Sequence, residues 1–247
     1  MKKYILTLIL ALASLGLYAQ TNRNKTIINA ALHGWEYEIK AGVNLGGTAP
    51  LPFPEEIRSI DGYNPTLSIT IEGNMTKWLD TKKKWGIITG LRLENKGMRT
   101  KATVKNYNME IIGYDGNRLK GNWTGGVRTK VQNSYITIPV LAAYKLSPRT
   151  TLKLGPYFSY LMDGDFSGHV YEGYLRETNP TGDKINFTNG AIATYDFSGD
   201  LRKFQWGVQA GVDWKAFKHL KVHADLNWGL NDIFNKDFKT VTFDMYA

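Results

Sequence analysis

Apolar and polar residues alternate along seven stretches of this chain. In 35–46, Tyr37, Ile39, Ala41, Val43 and Leu45 share one face, while Glu36, Glu38, Lys40, Gly42 and Asn44 share the other. Period two is the signature of a β-strand whose faces meet different surroundings. The pattern recurs in 65–79, 85–97, 134–146, 150–162, 203–215 and 220–231. In 203–215, Phe204, Trp206, Val208, Ala210, Val212 and Trp214 oppose Gln205, Gly207, Gln209, Gly211 and Asp213. A shorter eighth stretch, 238–247, sets Val241, Phe243 and Met245 against Thr240, Thr242 and Asp244.

The connections between these stretches alternate in length. Long segments (48–63, 98–132, 164–202) and a modest one (232–237) are separated by short turns at 80–84, 147–149 and 216–219. A barrel that crosses a membrane has this rhythm, with tight turns on one side and long loops on the other. The polar face, rich in glycine and charge, suits a crowded interior, and the apolar face, with aromatics near its ends, suits lipid. Seven strands would leave an edge with unpaired backbone groups in lipid, so the eighth closes the sheet. The expected fold is all-β: an eight-stranded antiparallel transmembrane β-barrel over 35–247, with short periplasmic turns, long extracellular loops and both termini on the periplasmic side.

The N-terminus fits an exported chain. Lys2 and Lys3 precede the apolar run Ile5 to Leu17, and Ala19 is a small residue before Gln20. This predicts a signal peptide over 1–19, cleaved before a short segment 20–34, and a site in the outer membrane of a Gram-negative bacterium. The run is too short for a spanning helix. Seven Trp, fourteen Tyr and ten Phe supply interfacial girdles, and with no cysteine the fold depends on burial and backbone pairing. Formal charge is +9; without Lys2 and Lys3 it is 29 basic against 22 acidic residues. In an exported chain that excess points to outer-membrane lipid and lipopolysaccharide phosphate, and to other envelope proteins, rather than to nucleic acid.

The stretch Ser134-Tyr135-Ile136-Thr137-Ile138-Pro139-Val140-Leu141, followed by Tyr144-Lys145-Leu146 and Leu154-Gly155-Pro156-Tyr157-Phe158-Ser159-Tyr160-Leu161, resembles the motif of the PorT-like outer-membrane β-barrel family. Trp206-Gly207-Val208-Gln209-Ala210-Gly211-Val212 with Asn227-Trp228-Gly229-Leu230-Asn231-Asp232-Ile233 is similar to a later hairpin of that family. The resemblance implies a small porin-like barrel with eight strands. Its founding member is tied to protein secretion across the outer membrane. The family's last strand is longer and ends on an aromatic, whereas this chain ends Met245-Tyr246-Ala247.

Two clusters are candidate sites. Glu38, Lys40, Glu72, Arg92 and Glu94 lie on the polar face and predict an ionic network inside the barrel. Eight strands leave room for side chains rather than a channel, so a packed interior is preferred to a pore. Arg99, Lys101, Lys105, Arg118, Lys120, Arg128 and Lys130 fall in the 98–132 loop and predict an anion-binding outer surface. His219 and His223 have no third ligand at metal spacing, so no metal and no cofactor is expected. A rim hydrolase acting on lipid or peptide would draw on His223, Asp225 and Ser159, without a nucleophile-elbow context. The expected function is therefore non-enzymatic: a monomeric structural or interaction protein, accessory to transport or secretion.

Overall fold

The computed structural model describes residues 34–50, 53–113, 116–235 and 245–246. The predicted signal peptide 1–19, nearly all of the 20–34 segment and most of the predicted last strand lie outside them. The chain divides into two units, Met1–Glu36 and Tyr37–Ala247, and the description concerns the second. Its strands are β1 (Trp35–Asn44), β2 (Ala49–Pro50), β3 (Ile57–Thr66), β4 (Ser68–Trp78), β5 (Trp85–Ile112), β6 (Arg118–Lys145), β7 (Thr150–Glu177), β8 (Lys184–Asp196), β9 (Phe204–Lys215), β10 (Lys221–Gly229) and β11 (Met245–Tyr246). The only helix among the described residues is a 3-10 turn at Ser198–Asp200.

The main sheet runs in the order β1-β4-β5-β6-β7-β9-β10, and each pair with a described register is antiparallel. Its two ends approach through side chains: Lys221 Nζ of β10 lies 2.7 Å from Glu38 Oε2 of β1. The expected count of eight strands is not what the described residues show, because they form eleven. Among the described residues, Met245 and Tyr246 pair with Pro50 and Ala49 in a separate two-stranded sheet.

The long segments are not loops, which corrects a second expectation. β5, β6 and β7 each run unbroken for 28 residues, whereas a spanning strand needs about 9–11. The 98–132 segment is the upper half of the β5–β6 hairpin, paired from Met98↔Val131 to Ile112↔Arg118. Likewise 164–202 is the upper part of β7 with β8, paired from Ser167↔Asp196 to Arg176↔Lys184. β8 also meets β5 at Ile112↔Thr194, so β5, β6, β7 and β8 close a ring of backbone pairing beyond the membrane band. β3 adds to the other stretch of β5, from Ile57↔Val104 to Thr66↔Gly97.

Both faces change polarity at one height. The outward row Leu93–Ile136–Tyr160–Phe204 is apolar and in register, and the next outward row begins with Asn95 and Ser134. Below it the outward residues Ile87, Leu91, Ile138, Leu154, Trp206 and Leu226 are exposed, as a lipid-facing surface requires. Inside, buried Arg92, Thr137, Ser159 and Gln205 occupy one row, and two rows above the Glu94–Tyr135–Leu161 row Met98, Val131 and Phe166 are buried together. Lipid reverses the usual arrangement below this height. Water restores it above, where Trp123, Met109, Ile111, Val170, Leu175 and Phe234 form an ordinary apolar core.

The lower girdle includes Trp85 against Tyr144, ring centroids 4.6 Å apart, and the upper one Phe158 against Phe204 at 6.3 Å. The short turns close below. At the first, the Asp80 carboxylate accepts the backbone N–H of Lys84 at 2.7 Å and of Trp85 at 2.9 Å. These bonds, that to Trp85 foremost, hold its pKa below the ordinary carboxylate value.

Candidate functional sites in the barrel interior and the upper head

The interior of the membrane band is filled by side chains that alternation turns inward. Arg92 on β5 is the centre. Its Nε lies 2.5 Å from Glu72 Oε2, an Nη donates to Gln209 Oε1 at 2.8 Å, and the other lies 3.8 Å from Glu94 Oε2. Glu94 also accepts the Thr137 hydroxyl at 2.8 Å, and Thr137 bonds Ser159 at 2.7 Å. Lys40 bridges toward Glu72 at 4.0 Å and Asp213 at 3.7 Å.

Four of the five residues expected in an ionic network are thus brought together, while Glu38 forms a separate pair with Lys221. Lys153 was missed. It is fully buried and holds Asp213 at 2.6 Å and Asp225 at 2.9 Å. Alternation could have found it, since Lys153 lies on the polar face of its segment. The far end of the chain, however, gave no sign that β7, β9 and β10 meet there. The network holds Lys40, Arg92 and Lys153 against Glu72, Glu94, Asp213 and Asp225, three positive groups to four negative. Close pairing is what allows these charges to be buried at all.

Small residues make room for it. A Cβ on Gly211 would collide with Asp225 Oδ1 and sit 3.0 Å from Lys153 Cε. Pro139 sits in β6 with no register shift on either side, although ladder pairing lapses beside it at Ile138 and Pro139 facing β5. Its missing N–H is accommodated by a gap rather than by a bulge.

The hydrolase set does not assemble. Ser159 pairs with Gln205 of β9 and His223 with Asp213, eight residues further along the same strand, or roughly 26 Å at strand rise. Asp225 is engaged by Lys153, and Ser159 by Thr137. No cluster of three or more His, Asp or Glu side chains with metal-site geometry occurs among the described residues.

The basic residues expected on a loop stand on strands. Arg99, Lys101 and Lys105 are on β5, and Arg118, Lys120, Arg128 and Lys130 on β6. Cross-strand register sets Arg99 opposite Lys130 and Lys101 opposite Arg128. His169 follows Arg128 on β7, and Arg128 lies over the Tyr171 ring at 4.9 Å. Burial first, and then the Arg128 charge, hold the His169 imidazole below its ordinary 6.5. Lys130 is tied to Asp165 at 2.6 Å, and Arg118 to Glu110 at 2.8 Å. A cleft of about 970 Å³ lies between β3, β5, β6, β7 and β8; the in-register Thr100, Thr129, Gly168 and Tyr195 face into it, and Arg99, Lys101, Arg128, Lys130 and His169 flank them on the alternate positions, with Asp61 and Asp196 as the acidic members.

No curated protein and no solved structure matches this chain. The family model described as outer membrane protein beta-barrel domain matches residues 18–235, which is most of the chain. With the lipid-facing band and the antiparallel sheet, that match makes this an outer-membrane protein: the chain belongs to the outer-membrane protein β-barrel domain family.

Proposed function

We propose that this is a non-enzymatic interaction protein that works through its outer head, with lipopolysaccharide and other envelope components as partners. The observation that carries the reading is the division of labour along β5, β6 and β7. Their lower halves enclose a lumen plugged by ion pairs, and their upper halves build a folded head, basic along β5 and β6, that spanning does not require. Recognition by a small barrel belongs on such a projection. The motif resemblance to the PorT-like family supports a narrower role, accessory to transport or protein secretion across the outer membrane.

Binding of purified lipopolysaccharide to the protein in nanodiscs tests the reading. Arg99→Glu/Lys101→Glu/Arg128→Glu should bind at least tenfold more weakly, with a salt dependence shallower than that of the unaltered protein. Equal binding would remove the head from the role. In planar bilayers the protein should give no conductance steps, and regular steps would favour a small pore instead.

A further inference from the structure

The upper head contains an apolar cavity that neither the ion-paired lumen nor the outward basic residues explain. Its volume is about 180 Å³. Met98 and Phe166 belong to its wall, and they share one inward level with Val131. That level lies two rows above the Glu94–Tyr135–Leu161 row, so the cavity sits beyond the membrane band. Ala102, Val104, Met109 and Val127 continue the apolar wall upward. The Thr48 backbone N–H donates to the Met98 sulfur at 3.2 Å and ties the segment before β2 against it.

β3 closes one side, and its irregularities present apolar groups there. At strict period two, Ile57 would share its face with Ser59, Asp61 and Tyr63. Register shifts between Ile57 and Ser59, and between Ile60 and Gly62, change the spacing to three. Ile57, Ile60 and Tyr63 therefore line the cavity, and Ser59 and Asp61 do not. The Asp61 carboxylate instead accepts the Ser59 and Thr103 hydroxyls at 2.6 and 2.7 Å. Phe53, Ile60 and Tyr63 line the cavity while being 52 %, 56 % and 52 % exposed, so apolar surface reaches solvent at its mouth. Exposed apolar side chains around a concave pocket fit a ligand better than a plain core.

The lining also sets the charge of that ligand. Among the described residues, no acidic or basic side chain lines the cavity, and its polar side chains are all hydroxyls. Tyr195 donates to the Arg128 carbonyl at 3.0 Å, so Thr129 is the donor in the 2.6 Å bond between the two hydroxyls. Burial pushes the Tyr107 and Tyr195 phenols up in pKa, so both stay neutral. Arg99 and Lys101 stand on the outward face of β5, and the sheet separates them from the cavity. A charged group would lose its water there and meet no counter-charge. An engineered apolar cavity of roughly 150 Å³ takes benzene, so this one holds a ring or a chain of about six carbons.

We propose that the upper head binds a small uncharged apolar molecule, a single ring or a short chain, in the cavity between β3 and the head core. The ligand enters from solvent rather than from the bilayer, because the mouth lies beyond the lipid-facing rows. This site is separate from the outward basic face, and either can fail without the other.

The probe is hexanol, added to protein carrying ¹³C-methyl methionine in nanodiscs. Met98 and Met109 line the cavity, whereas Met75 and Met162 are exposed on the outward face and report on lipid. Hexanol should shift the Met98 and Met109 methyl signals saturably. Hexanoate and hexylammonium at the same concentration should leave them in place. Ala102→Phe, which fills the cavity, should abolish the shifts, and heat-modifiable gel migration checks that this variant folds. Ile60→Glu sets a carboxylate at the exposed mouth and should weaken hexanol binding at least tenfold. Arg99→Glu/Lys101→Glu should leave hexanol binding unchanged.

Absence of a saturable shift at Met98 and Met109 would overturn the proposal. So would an equal response to either ion, or undiminished binding in folded Ala102→Phe protein or in Ile60→Glu protein. Shifts that grow linearly and equally at all four methionines would show partition into lipid instead, and would overturn it as well.

Discussion

Arg92 shows how a single residue can hold a membrane-embedded interior together. Its guanidinium serves Glu72, Glu94 and Gln209 from three directions, and the residue is almost wholly buried. Arg92→Ala would leave two carboxylates facing a hole. Removing one partner of a buried pair typically costs about 3–5 kcal/mol, and loss on that scale is expected as a lower urea midpoint of the folded barrel. Arg92→Lys should recover part of it, since a point charge cannot serve three partners at once. An unchanged midpoint for Arg92→Ala would mean that the network is ornamental. In the head, His169 makes a complementary prediction. Its folded pKa is depressed, so the unfolded chain binds a proton that the folded one refuses. Head stability should therefore fall as pH drops through about 6.5 toward the folded value, and hold steady above. Arg128→Ala should move the imidazole resonance midpoint upward but short of 6.5, because burial is the larger cause. A midpoint that did not move would separate His169 from Arg128.

At the scale of elements, what was legible in the sequence ended where the strands leave the membrane. Period two read correctly for 85–97 and 134–146 because lipid demands an unbroken apolar row. Above it, the alternation continues on β5 as Met98, Thr100, Ala102 and Val104 facing inward between Arg99, Lys101 and Thr103, but only half of those inward positions are large and apolar. It then loses phase. A register shift between Val104 and Tyr107, with Asn106 at φ 56°, moves the inward set to Tyr107, Met109 and Ile111. β7 does the same between Tyr171 and Gly173, with Glu172 at φ 47°. A strand with a bulge looks like a loop to any test of strict period, and the dense lysine and arginine strengthened that appearance. The interior network was only half legible because Lys153, Asp213 and Asp225 lie far along the chain from Arg92 and meet it by topology alone. One bulge can be tested directly. Gly125 has φ +150°, and a Cβ there would stand 2.7 Å from the Gly173 Cα and 2.8 Å from the Glu172 carbonyl. Gly125→Ala should cost the β6–β7 hairpin about 1–3 kcal/mol, seen as faster amide exchange from Gly121 to Gly126. Unaltered exchange there would mean that the hairpin end shifts freely to accept the methyl group.

For the whole molecule, the shared height at which both faces invert implies two stability regimes on one set of strands. Below, backbone pairing in lipid and ion pairs in the lumen hold the sheet. Above, the head is held by apolar burial against water, as in any soluble domain, with Trp123 packed edge-on to Phe187 at 5.3 Å and wholly buried. The two regimes meet at the row Glu94–Tyr135–Leu161, where a carboxylate and apolar side chains share one level. If they are energetically distinct, damage to the upper core should stay above that row. Trp123→Ala should cost the head about 3–5 kcal/mol, the usual range for emptying a large aromatic site. Amide protection should then collapse across β8 and the 118–128 part of β6, while 136–145 of the same strand stays protected and the protein keeps its heat-modifiable migration. Continuous strands make this a demanding expectation, since fraying could run downward along the ladder. The barrier to that is lipid itself, in which each unpaired backbone group costs several kcal/mol. Loss of protection in 136–145 together with the head would show a single cooperative unit, and would mean that the head is needed to hold the barrel closed.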